Sequence, residues 1–155
     1  MTEKENTMLF QGENASLALE IVNYEFAPDG GSRGSDDRNW LVLRATYAEE
    51  DGTVIKDSNS CLLTYELRDM TAGLKVLRAG IRDSYASDFV EPYFEMAAEA
   101  DGTGAFTVSV SFALPNTMED VDTAEVECTM TDGQLQVLID ELDELCAKYP
   151  DREAD

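Results

Sequence analysis

The 155-residue chain contains no histidine. That absence removes Ser-His-Asp and Cys-His catalysis, because both use an imidazole to take the proton from the nucleophile. It also removes most zinc sites. Basic residues are scarce, 11 against 33 acids, for a net charge of −22. There is no basic patch and no phosphate-binding glycine loop, so direct nucleic-acid binding is not expected. An anionic membrane would repel the chain on the same grounds. The three cysteines, Cys61, Cys128 and Cys146, show no CxxC spacing. So sparse and odd a set reads as reduced thiols. No apolar run approaches the ~18 residues that mark a membrane span. The first residues, Met-Thr-Glu-Lys-Glu-Asn, lack the apolar core of a signal peptide, and a cytoplasmic location is the expectation.

Apolar residues make up 43% of the sequence, enough for one domain of this length to bury a core. The expected organisation is a disordered tail over residues 1–7, one domain over 8–150 and an acidic tail over 151–155. Residues 119–155 hold 13 acids and 2 bases, so −11 of the −22 lies in the last 37 residues. Such a charge opposes compaction and attracts basic partners. It reads either as a solubility device or as a surface shaped to meet a basic partner.

Periodicity places the elements. Met8-Leu9-Phe10 makes a short strand before a turn at residues 11–14. Leu17, Leu19 and Ile21 share one face of the next strand. Large residues then move to even positions (Val22, Tyr24, Phe26), a switch that a β-bulge makes. Residues 27–39 form a loop rich in glycine, serine and aspartate. "WLVLRATYA" (residues 40–48) is apolar on both faces at first, like a central strand with Trp40 in the core, and "TVIKD" pairs back on it as a hairpin.

Leu63, Leu67, Met70, Leu74 and Leu77 form the buried stripe of a helix over 64–79. Thr64 or Ser60 is its expected cap, Glu66 suits its positive end and Gly80 its C-terminus. Residues 88–100 read as extended. Phe106, Val108, Val110, Phe112 and Leu114 alternate with smaller residues, a half-buried strand, and "AEVECTM" is another. A capping box, Thr131 with Gln134, opens a last helix faced by Leu135, Leu138, Leu142, Leu145 and Tyr149. The expected class is α+β: a mainly antiparallel sheet of six to seven strands with two amphipathic helices packed on it.

Little of this carries chemistry. Cys61 precedes a helix N-terminus, which lowers a thiol's pKa, but no base stands ready to activate it, and it reads as a small buried residue. Asp88, Glu91 and Glu95 are close in sequence, and paired carboxylates serve glycosidases. With 33 acids in the chain, such clusters arise by chance. No segment fits a calcium loop, and no cofactor is implied. Candidate partner contacts are the loop acids Asp36 and Asp37 and the last-helix acids Asp140, Glu141, Asp143 and Glu144.

Five segments in order are distinctive: "YEF" (24–26) with Pro28 behind it, "DDRNWLVLR" (36–44), "CLLTYEL" (61–67), "DFVEPYFEM" (88–96) and "KYP" (148–150). Together they resemble the WapI family of bacterial immunity proteins, from Met8 to Pro150 and most clearly from Asp36 to Met96. Asn59-Ser60 stands where that family tends to have Asp-Pro, and Tyr93 where asparagine is usual. The resemblance implies a cytoplasmic, non-enzymatic protein that binds and neutralises a cognate toxin domain encoded beside it. A basic nuclease toxin would suit the negative charge. The resemblance assigns no contact residues. The rival readings are an acidic nucleic-acid mimic and, less favoured, a carboxylate-dependent enzyme using Asp88, Glu91 or Glu95.

Overall fold

Two antiparallel meanders share one helical core. The computed structural model describes residues 7–25, 39–91, 93–114 and 123–150. Among them β1 (Thr7–Gln11), β2 (Ala15–Tyr24), β3 (Trp40–Glu49) and β4 (Val54–Leu63) form one sheet in chain order. Helix α1 (Thr64–Arg78) follows directly. Then β5 (Ser84–Ala86), β6 (Phe94–Ala100), β7 (Phe106–Ala113) and β8 (Thr123–Met130) form a second sheet, and α2 (Asp132–Lys148) ends the fold.

The α+β class is as expected, but the single sheet of six to seven strands is not. Among the described residues, eight strands lie in two four-stranded sheets. Two local causes hid this. The 15-residue α1 leads the chain away from the β4 ladder, so β5 starts a new sheet. And β5 has only three residues, too few to show a pattern. The sheets approach at the β1–β2 turn, where a Cβ on Gly12 would lie 2.9 Å from Val126 Cγ1 and 3.1 Å from the Glu127 carbonyl oxygen. Only glycine lets this turn sit so close.

The switch after Ile21 is a bulge at Val22: Ile21 pairs with Leu43, but Asn23 pairs with Val42. A second bulge in β4 leaves Cys61 as the extra residue, between Leu62 opposite Leu41 and Ser60 opposite Val42. Both neighbours of β3 thus gain a residue beside Val42, which increases local twist and bends the sheet around the core. Strand β4 also extends well beyond "TVIKD", because its polar stretch Ser58–Ser60 conceals the continuation.

Inward positions of both sheets meet the leucine faces of the helices. Phe10, Leu17, Leu43, Phe94 and Phe112 are fully buried, as are Leu67, Leu74, Leu135 and Leu142. The α2 capping box forms as read: Thr131 Oγ1 accepts from Gln134 N–H at 3.1 Å, and Thr131 N–H donates to Gln134 Oε1 at 2.8 Å. The C-terminus of α2 is tied to β2. Tyr24 Oη donates to the Pro150 carbonyl at 2.6 Å, and the Tyr24 and Tyr149 rings meet edge to face at 5.4 Å.

Three expectations change. Trp40 is only half-buried, not core. It begins β3, and alternation turns it away from the inward Leu41, Leu43 and Ala45. Neither Thr64 nor Ser60 caps α1; Leu63 holds the N-cap position and the Glu66 carboxylate takes its N–H. Of residues 88–100, read as extended throughout, only Phe94–Ala100 is strand β6, so Glu91 and Glu95 do not lie on one strand. The loop acids Asp36 and Asp37 lie outside the described residues.

Candidate partner-binding site

Cys61 can be removed first. It is fully buried in β4. Burial, followed by the negative charges of Glu66 and Glu91, pushes its thiol up to about 12. A nucleophilic cysteine needs the opposite shift. Burial also raises Cys128 and Cys146, and Cys146 Sγ lies 3.6 Å from Thr71 Oγ1.

The residues around Cys61 form a joint. Glu66 is nearly fully buried. Its Oε1 accepts from Leu63 N–H at 3.0 Å, and its Oε2 accepts from Val90 N–H at 2.7 Å. One carboxylate thus caps α1 and fastens the segment leading to β6. It also explains why "CLLTYEL" and "DFVEPYFEM" belong together: they touch. "YEF" and "KYP" touch likewise, through Tyr24 and Pro150. These contacts hold the fold.

The four α2 acids do not present one uniform face. Asp143 pairs with Lys75 of α1 at 2.8 Å, and Asp140 accepts from Gln136 Nε2 at 2.7 Å. Glu144 is exposed. Glu141 is half-buried on the other side, and burial, followed by the charge of Glu144, raises its pKa. It borders a groove of about 260 Å³ whose apolar rim includes the exposed Leu9 and Val137.

A larger concavity, of about 590 Å³, lies on the outward face of the second sheet. Alternation builds it. The even positions of β7, such as Val108 and Val110, point to the core, leaving the small Ser109 and Ser111 outside. Glu95 of β6 and Glu125 of β8 flank Ser111, and Ala97 and Glu127 flank Ser109. The trough continues past Glu125 and Glu127 into a second cavity lined by Glu13, Tyr47 and Glu49. That in turn adjoins a third, which adds Glu50. Its acids are spread over β6, β8, the β1–β2 turn and the end of β3. No sequence window shows them together, although the small outward residues of β7 were a usable signal. Of the Asp88, Glu91 and Glu95 group, Glu95 alone lines the trough.

Among the described residues, no group of three acids or cysteines is placed to hold a metal ion, and no helix is long and apolar enough to cross a membrane. A family model, described as the immunity protein WapI-like family, matches residues 8–150. No curated protein matches the chain.

Proposed function

The chain belongs to the immunity protein WapI-like family, and from that premise we propose that it is a non-enzymatic binding protein that neutralises a cognate bacterial toxin domain by occluding it. The family match across residues 8–150 carries this reading. The chemistry supports it. The one cysteine beside a helix N-terminus is buried, with its thiol pKa raised, and the surface is overwhelmingly acidic.

The net charge of −22 supports a partner of opposite charge. A basic toxin domain, such as a nuclease that grips phosphates, would be drawn in by long-range attraction, which raises the association rate. Occlusion then covers the surface by which the toxin meets its substrate. The producing cell's cytoplasm is where such protection is needed. Glu141 and Glu144 on α2 and the loop acids Asp36 and Asp37 are candidates for the rim of the contact. Asp140 and Asp143 are less free to serve, being engaged by Gln136 and Lys75.

Co-expression tests the proposal. The toxin domain encoded beside this chain should arrest growth when expressed alone and cease to do so when this protein is present. Arrest that persists with the folded protein present removes the reading.

A further inference from the structure

The trough that runs from the second sheet to the β1–β2 turn is lined by charge of one sign. It carries six carboxylates, Glu13, Glu49, Glu50, Glu95, Glu125 and Glu127, and no lysine or arginine lines it. None of the six forms an ion pair with any described residue, whereas Glu20 pairs with Arg44, Asp143 with Lys75 and Asp132 with Arg78. Glu125 and Glu127 project from the same side of β8, roughly 7 Å apart, and Glu95 stands roughly 10 Å from Glu125 across β7. Like charges so placed repel one another, and a bound cation would relieve that repulsion.

The shape suits an inserted side chain. The floor is made of serine and alanine, with Ala97, Ser109 and Ser111 leaving the backbone open to approach. Where the trough enters the crevice between the sheets, the half-buried ring of Tyr47 lines the wall. An aromatic ring beside carboxylates is a good seat for a guanidinium, which stacks on the ring while its N–H groups reach the acids. Burial, then the charges of Glu49 and Glu125, raise the pKa of the Tyr47 hydroxyl, a sign that the field of these acids reaches it.

We infer that the outward face of the second sheet, from Glu95 across Ser109 to Tyr47, is the toxin-docking surface, and that it receives an arginine- or lysine-bearing segment of the toxin domain. This rests on the proposed immunity function and names its contact face. The α2 acids then add to the long-range field without forming the seat.

The test measures association of the purified toxin domain with four forms of the full chain: wild type, a trough variant (Glu95→Gln, Glu125→Gln, Glu127→Gln), a helix variant (Asp140→Asn, Glu141→Gln, Asp143→Asn, Glu144→Gln) and Ser109→Tyr. Thermal unfolding first confirms that each is folded. If wild type neither binds nor protects, the immunity reading fails on its own. If wild type binds, the trough variant should associate about tenfold more slowly, with a weaker salt dependence, and slow more than the helix variant. Ser109→Tyr, which fills the floor without changing charge, should weaken binding at least about tenfold. Unchanged binding by Ser109→Tyr overturns the inference. So does slowing that merely follows the number of charges removed, with the helix variant at least as slow as the trough variant.

Discussion

Glu66 Oε2 accepts a hydrogen bond from the backbone N–H of Val90 at 2.7 Å, while Oε1 of the same carboxylate accepts from Leu63. Removing the side chain leaves two backbone donors without their partner, the buried Leu63 N–H and the part-buried Val90 N–H. Glu66→Ala should therefore cost about 2–5 kcal/mol, with Glu66→Gln intermediate because its amide keeps one acceptor oxygen. Urea unfolding measures this, and a midpoint close to wild type would show that water replaces the carboxylate freely.

The thiol of Cys61 should be inert and should make the protein alkali-sensitive. Its pKa rises from an ordinary 9.0 to about 12 on folding. The folded state then holds its proton while the unfolded state releases it. Stability is complete below about pH 9 and falls as pH climbs toward 12. Tyr85, raised from 10.0 to about 12 chiefly by burial, adds to the same limb. Cys61→Ala should lower stability at pH 7 by about 1 kcal/mol or more and flatten the loss as pH climbs from about 9 toward 12. An equally steep loss in that variant would assign the alkaline limb to other groups. Native alkylation at pH 7 should modify the half-buried Cys146 well before Cys61.

Gly73 reverses the ordinary helix rule. Alanine for glycine inside a helix usually gains up to about 1 kcal/mol. Here a Cβ would fall 2.4 Å from Tyr85 Cδ1 and 2.6 Å from Tyr85 Cε1. Gly73→Ala should destabilise by about 1–3 kcal/mol. In a Tyr85→Ala background the same substitution should become stabilising. A double-mutant cycle with the same sign in both backgrounds would contradict this packing.

These three sites also show what the sequence could and could not reveal. Local periodicity located both helices, the Val22 bulge, the Thr131–Gln134 cap and the buried face of β7, because each depends on neighbours a few residues away. Division into two sheets depends on where α1 releases the chain, and a three-residue β5 gives no period to read. Trp40 was misplaced because an apolar run at the start of a strand looks buried on both faces. The link from Glu66 to Val90 spans 24 residues and that from Tyr24 to Pro150 spans 126. No local rule connects such residues. The acidic trough was illegible for the same reason, while the α2 acids stood out by adjacency, although two of them are engaged within the fold.

Charge sets a further expectation. At −22 the folded chain repels itself, and mobile ions screen that repulsion over roughly 10 Å at 0.1 M salt. The melting temperature should rise from low to physiological salt. The rise should shrink in the Glu95→Gln, Glu125→Gln, Glu127→Gln variant, which relieves repulsion within the trough. A flat or falling melting temperature in wild type would mean that the acids are compensated locally.

The central claim is stoichiometric occlusion of a toxin by an inert binder. Titrating the toxin domain's activity with this purified protein tests it most directly. Activity should fall in proportion to the protein added, reach its floor at equal concentrations and return when the complex is dissociated. Activity that persists at excess protein, or is destroyed by a small fraction of an equivalent, would contradict the account.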